Sequence, residues 1–442
     1  MSHPHHHGHT HGADFGGEDW DALEGSPVKR ILYGAVAIAA VATLVGLLVW
    51  WPRGDVKLHK EELGFGHRVN ATVVDSEVLP CSYQPKEDCR ALTIRISEGG
   101  AEGTESQLEY NLADQTPASR LQAGAKIVVA DAGADTPAGS RFSFLDIQRS
   151  SGLWMLAIVF ALAVILLGRW RGLLALAGIA VSGVVLLVYV FPALLHGVSP
   201  LGVALTGASI IAFAVLYLAH GVNERTTVAL LGTLAALLLT AGLASIFADA
   251  VHLSGLGSEE SINLLTFAPD LDFRGLMLAA VIIGALGVLD DVTITQVSAI
   301  WELHHSDPDA SGRELYARGI RIGRDHIAST VNTLVLAYSA AALPLLLLFT
   351  QSGLGLGDVM TTETVAVEIV QTLVGSIGLM ASVPLTTALA AWAVSRTAAD
   401  DRDRRATLRQ HVVASPRATP TPPHDPWRAR EPLPDRGGLQ QW

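Results

Sequence analysis

The stretch GALGVLDDVTITQVSAIWEL, Gly284 to Leu303, carries two adjacent carboxylates, Asp290 and Asp291, just past a run of apolar and small residues. A charge at the centre of a bilayer costs from about 3 to well over 10 kcal/mol when it faces lipid, so such a residue turns toward protein or water. On a helix, Asp291, Thr295, Ser298 and Glu302 recur at i, i+4, i+7 and i+11 and share one stripe, with Asp290 and Thr293 beside it. The small residues Gly284, Ala285 and Gly287 let a neighbouring helix approach closely. The stripe is expected to line a polar path in which Asp290 or Asp291 binds a cation or takes a proton. The competing reading has the carboxylates pairing with arginine or tying helices together.

Composition places this stretch in a membrane. Of 442 residues, 50% are apolar and 16% are charged, against roughly a quarter charged in soluble proteins. The apolar residues come in runs near the ~20 residues that a spanning helix needs. They read as Ile31–Trp51, Gly152–Gly168, Leu173–Phe191, Leu201–His220, Thr226–Phe247, Gly275–Ile300, Ile327–Phe349 and Val365–Val394, about eight spans. The formal net charge is −12, and the basic residues form no dense stripe, so no nucleic-acid partner is expected. Instead they cluster at span ends. Arg169, Arg171, Arg225, Arg313, Arg318, Arg321, Arg324 and the tail after Arg396 fall on one side when the N-terminus is inside, as the positive-inside rule requires. The expected location is the cell membrane, with both termini cytoplasmic and residues 52–150 outside.

Residues 52–150 read differently. Alternating or β-branched runs at His67–Leu79, Arg90–Ser97, Ser106–Leu112, Lys126–Ala130 and Phe142–Ile147 are separated by Gly, Pro and Asp, which predicts five short strands. A small OB-like barrel is the expected closure, because it removes exposed edges. Cys81 and Cys89, the two cysteines of the chain, form a disulfide if this segment lies outside the cytoplasm; otherwise they are two free thiols. The fold expected is thus a polytopic α-helical membrane protein with a β-rich domain on the outer face. Residues 1–30 hold His3, His5, His6, His7, His9 and His11 and read as a disordered polar tail; such a tract also binds metals loosely. Residues 396–442 read as a charged helical stub followed by disorder.

Further polar residues mark other spans. Arg321, Arg324 and Asp325 stand at the expected cytoplasmic mouth, as a functional cluster or as topology markers. Ser329, Asn332 and Ser339 share a face, with Thr333 and Tyr338 beside it. Asn332 is the candidate to hydrogen-bond Asp291 or a ligand, or else to join two helices. Glu368 lies near the outer end of the last span, followed by Gln371, Gly375-Ser376-Ile377-Gly378 and Pro384. Interrupted helices of that kind recur at transporter sites, although packing alone also explains the glycines. Gly355-Leu356-Gly357-Asp358 spells an intramembrane-protease motif, but it falls in an expected outside loop, and the one nearby aspartate for a dyad, Asp249, stands at a span edge. No Walker A loop, dinucleotide fingerprint or HExxH occurs, so neither an enzyme nor a bound cofactor is expected.

Several of these motifs together resemble the YibE/F family of bacterial multi-pass membrane proteins. They are Gly284–Val292, Ser298, Glu302-Leu303, Ile322-Gly323-Arg324-Asp325, Asn332–Tyr338, Gly375–Gly378 and Pro384-Leu385-Thr386. The resemblance runs from about Val69 to Leu389. In that family's pattern the shared acidic position is the one held by Asp291, and position 290 is apolar or small, which implies the shared role for Asp291. The resemblance implies a permease of unknown substrate. Two functions follow as expectations: a secondary transporter with its site between the Asp291 and Asn332 helices, or a non-transporting scaffold or sensor whose outer domain binds a partner. The partners expected are the bilayer, a small solute or cation, and a second copy of the chain.

Overall fold

A computed structural model describes residues 27–54, 67–133, 136, 141–351, 353 and 355–414, with side chains described up to residue 398. The histidine tract therefore lies outside the described residues, as does the chain after Ala414.

The five predicted strands form one curled antiparallel sheet. They are β1 (His67–Pro80), β2 (Asp88–Ile96), β3 (Glu105–Asn111), β4 (Lys126–Asp131) and β5 (Phe142–Ile147), in the order β3-β2-β1-β4-β5. Period-two alternation drives this. Val69, Ala71 and Val73 bury one face of β1, and Leu92, Ile94, Ile96, Ile127, Val129 and Phe142 join them in a single apolar cluster. A register shift between Val73 and Asp75 bends β1, whose first half pairs β4 while the rest pairs β2. The outer strands meet through side chains: the Tyr110 hydroxyl on β3 accepts from the Phe144 amide on β5 at 3.0 Å, and their rings pack edge-on. Cys81 and Cys89 are disulfide-bonded.

Among the described residues, six helices are long and apolar enough to cross a membrane, or seven when a bent pair counts as one span. They are α1 (Pro27–Val49), the run of α2 (Ser150–Val185) into α3 (Phe191–Leu195), α4 (Pro200–His220), α5 (Glu224–Ala250), α7 (Phe273–Ser306) and α11 (Glu363–Ala414). The bent pair is α8 (Gly312–Ala341) and α9 (Leu343–Gln351), at 60°. The sequence reading ran one straight span through this bend. Pro344 lacks an N–H and disfavours helical geometry in the residue before it, so the helix breaks there. Short helices α6 (Glu259–Phe267) and α10 (Leu356–Thr361) lie between spans. Within α2 the backbone leaves helical geometry at Arg169 (φ 51°, ψ −129°). A Cβ on Gly172 would collide with the Val164 carbonyl, so the chain doubles back at this point.

Helices α5, α7, α8 and α11 pack closely at small residues, and α4 adds its buried apolar face to the core they share. Gly232 of α5 admits Thr386 of α11, whose Oγ1 would lie 2.5 Å from an added Cβ. Gly378 of α11 admits Thr240 of α5 in the same way, and Gly319 and Gly323 of α8 admit Ile300, Val383 and Gln296. These contacts advance on α5 as they retreat on α11, so the two run antiparallel in fixed register. Ion pairs collect at the two ends: Lys29–Glu224 (2.8 Å) and Arg225–Glu302 (3.7 Å) at one, Arg274–Asp249 (2.5 Å) at the other.

In the sheet, Arg141 donates twice to Asp131, at 2.7 and 2.9 Å, across the open end of β4 and β5. That hydrogen bonding holds the Asp131 carboxyl down at about 2, from an ordinary 3.8. A depressed folded-state value stabilises the fold above the unfolded value, and the contribution is lost as pH falls through about 2. Asp131→Asn removes it, at a cost of about 1 kcal/mol for a partly exposed pair. Pepsin cleavage within residues 126–147 of the full chain, followed from pH 4 down to 2, is expected to begin at higher pH in Asp131→Asn than in wild type. Coincident profiles would deny the pair this role.

Candidate functional site

The middle of α7 presents its two carboxylates to different surroundings. Asp290 turns toward α5, where the Thr233 hydroxyl lies against it. Thr233 is also joined to Thr293 at 2.7 Å. The Asp290 Oδ1 atom is buried with no hydrogen-bond partner among the described residues. Two buried hydroxyls of α11, Ser376 Oγ and Thr386 Oγ1, share that condition. Buried polar atoms are normally bonded, and each exception asks for an explanation such as a water or an ion. From Glu224, at the charged end of α5, to Thr233 is about 14 Å along the axis, and from Thr233 to Asp249 at the other end is about 24 Å. The carboxylate is thus well inside the bundle.

Asp291 does not share this place. It is exposed, as are Thr295 and Glu302, while Ser298 is half-buried. The stripe expected to line an inner path therefore runs along the outside of the core. Consecutive helical residues stand about 100° apart, so a core that takes Asp290 turns Asp291 away. Asp291 lies within electrostatic reach of His220 at the end of α4, as does Arg171, and Glu302 pairs with Arg225 at the bundle's end. On α8, Asn332 is likewise exposed and makes no contact with Asp291; Arg321, Arg324 and Asp325 are exposed too. A polar residue of α8 that does reach its neighbours is Tyr338, whose hydroxyl accepts from Gln371 Nε2 at 3.4 Å, beside Gly284.

Sequence reasoning passed over the inner polar layer. Gln296 donates to the Gly319 carbonyl (2.9 Å) and to Thr387 Oγ1 (2.8 Å), and Thr233, Thr240, Thr386 and Thr387 are fully buried. Scattered threonines look like ordinary span residues, because each can satisfy itself on its own helix. The signal available was their pairing with small residues, as in Gly232-Thr233 and Gly378 opposite Thr240.

Glu368 is half-buried and lines a cavity of about 340 Å³ between α7, α11 and the α2–α3 junction. The rim is fastened by Glu363, another residue the sequence did not single out. Its carboxylate accepts from Ser254 N and Oγ and from Gly255 N, at 2.7–2.8 Å. The cavity floor at Ile283 is about 10 Å along α7 from Asp290.

These two kinds of polar residue make opposite demands on stability. Gln296→Leu removes the interhelical bonds to the Gly319 carbonyl and Thr387 Oγ1, a loss of about 1–3 kcal/mol. Asp290→Leu removes a carboxyl group with one oxygen left unbonded in the core, and it is expected to unfold at the same temperature as wild type or higher. Thermal unfolding of both variants in detergent checks this, and a large drop for Asp290→Leu would make the carboxylate a structural tie.

The YibE/F-like protein family model matches residues 156–396. The match covers the helices from α2 to α11 and leaves out the sheet. No curated protein and no solved structure matches the chain. The chain belongs to the YibE/F-like family.

Proposed function

We propose that this protein is a permease, a secondary transporter that carries a small solute or cation through the core of α5, α7, α8 and α11, with Asp290 as its ion or proton site. The observation that carries the reading is the buried, unpartnered Asp290 Oδ1, accompanied by the unpartnered hydroxyls of Ser376 and Thr386. A bundle built only to hold together gains from satisfying such atoms or replacing them with apolar ones. The layer at Gln296, Thr387 and Gly319 is satisfied and suits the other reading, a non-transporting scaffold or sensor. Asp291, with His220 and Arg171 nearby, would form the inner mouth.

Eight crossings follow if Ser150–Leu195 divides at Arg169 and the α8–α9 pair counts as one. Undivided, that 46-residue stretch would be about 69 Å long, over twice a ~30 Å hydrocarbon core. Arginine placement then supports a reading with both termini in the cytoplasm of a bacterial cell and the sheet outside. The Cys81–Cys89 disulfide supports an oxidising location. The strand order, with Tyr110 closing β3 onto β5, supports an OB-like barrel.

Reconstitution in sealed vesicles tests the transport reading. Uptake of a panel of inorganic cations and small organic solutes is compared for wild type and Asp290→Asn between pH 5 and 8. At least one flux is expected to fall about tenfold or more in the variant, as befits an obligatory intramembrane carboxylate. A panel on which the two proteins behave alike rejects it.

We further infer pairing of two copies through α8. Its exposed face carries Arg321, Asp325, Ser329, Asn332 and Ser339, groups that a spanning helix does not leave against lipid. Asparagine bonds helices across such faces, and Arg321, Arg324 and Asp325 together complement their own copy about a two-fold axis. Asn332→Cys adds a thiol to a chain whose described cysteines are already bonded. Mild oxidation in membranes is expected to give a dimer band, and a persistent monomer would argue against this face.

A further inference from the structure

The cavity beside Glu368 has walls that restrict what it can hold. Val190, Phe191, Phe273, Met277 and Ile283 make most of it apolar, and no Lys, Arg or His lines it. Glu368 supplies its charge. Among the described residues nothing donates a hydrogen bond to that carboxylate and no cation pairs with it; burial alone acts on it. Glu363, little more than one turn earlier, has its carboxylate fully engaged by the 254–255 backbone and Ser254. The two acids therefore divide the work: one fastens the rim and the other is left for a visitor. The opposite wall has been opened by the backbone. Leu186–Val190 forms a π-helical turn just before Pro192. Such turns accommodate a residue that cannot bond within the helix and recur at functional sites. Val190 and Phe191 reach the cavity from this turn.

Each class of ligand can be weighed against these walls. An anion would meet a carboxylate and no positive group. A neutral solute would leave the Glu368 charge desolvated and uncompensated. Divalent metals want six or more oxygens and usually several carboxylates, and the polar lining, Ser258, Ser261, Thr364, Glu368 and Gln371, brings one carboxylate only. A cation whose body is apolar satisfies both parts of the cavity, its charge against Glu368 and its carbon surface against Met277, Ile283 and the rings of Phe191 and Phe273, which favour cations at their faces. The volume, about 340 Å³, lies at the small end of ligand pockets.

We propose that this cavity binds a small organic monocation, an alkylated or aromatic ammonium compound, with its positive centre at Glu368. The proposal names the substrate class for the permease and rests on that reading for passage inward, but not for binding.

The test uses the full chain in lipid nanodiscs and radiolabelled benzyltrimethylammonium as probe. Saturable binding is expected, weakened at least tenfold by Glu368→Gln and by Ala280→Trp, which fills the cavity from α7. Neopentylbenzene, the uncharged isostere, should not compete. Absence of saturable binding, equal binding by Glu368→Gln, or competition by the isostere overturns the proposal. Vesicle uptake of the same probe separates the two readings. Binding that depends on Glu368 without any uptake leaves the site standing and removes this compound class from the transport reading. Uptake indifferent to Glu368 but lost in Asp290→Asn does the reverse.

Discussion

Helices α5 and α11 come close enough for a side chain of one to occupy the place of a missing Cβ on the other, at Gly232–Thr386 and again at Gly378–Thr240. Lipid supplies no hydrophobic drive for helices to associate, so contact of this closeness is what holds them. It also fixes their rotation. Once α5 and α11 are locked, the face of α7 that meets both is set, and Asp290, Thr293 and Gln296 are the polar residues that face inward. Gly319 and Gly323 then let α8 close the fourth side over Gln296. A larger residue at any of these glycines would not merely loosen a contact. It would turn a helix and present a different set of groups to the core.

The same rigidity explains why the bundle can keep unsatisfied atoms. A loosely packed core would rotate Asp290 toward water or toward a donor. Here the alternatives on α7 are blocked by Leu286, Leu289 and Val292, all buried against neighbouring helices. The destabilisation is contained by apolar packing on either side and by the satisfied bonds of Gln296 below. Polar atoms without partners thus lie between a cavity at one end and a bonded layer at the other.

Much of this was legible in the residues. The strands of the sheet follow their alternation to within a residue or two, because each has one wet and one dry face. The spans follow from hydropathy. Which face of α7 turns inward did not follow, and the reason is physical. A helix apolar nearly all round carries no moment that tells inside from outside. The stripe from Asp291 to Glu302 is the most polar line on α7, but it leads out of the bundle to Arg225, about 17 Å further along the axis. Asn332 misled in the same way, since polarity within a span marks contact with something, not contact with the core of the same copy. The break at Pro344 was readable from proline chemistry. The reversal at Arg169 was legible too, since the arginines interrupt the apolar runs Gly152–Gly168 and Leu173–Phe191.

Neighbouring carboxylates on a helix cannot do the same job, and that bears on how this chain relates to its family. The family resemblance puts the shared acid at the position of Asp291 and an apolar or small residue at 290. Such a residue would fit the core without leaving an oxygen unbonded. Asp291 lies near His220 and Arg171, and the resemblance implies the shared role for it. On the same resemblance the core carboxylate is an addition to a scaffold that tolerates it. An added buried charge lowers stability unless something compensates, and it persists only where occupancy by a cation or proton returns the energy. On that argument the proposed coupling would rest on Asp290, and the packing at Gly232, Gly378 and Gly323 is what holds it in the core.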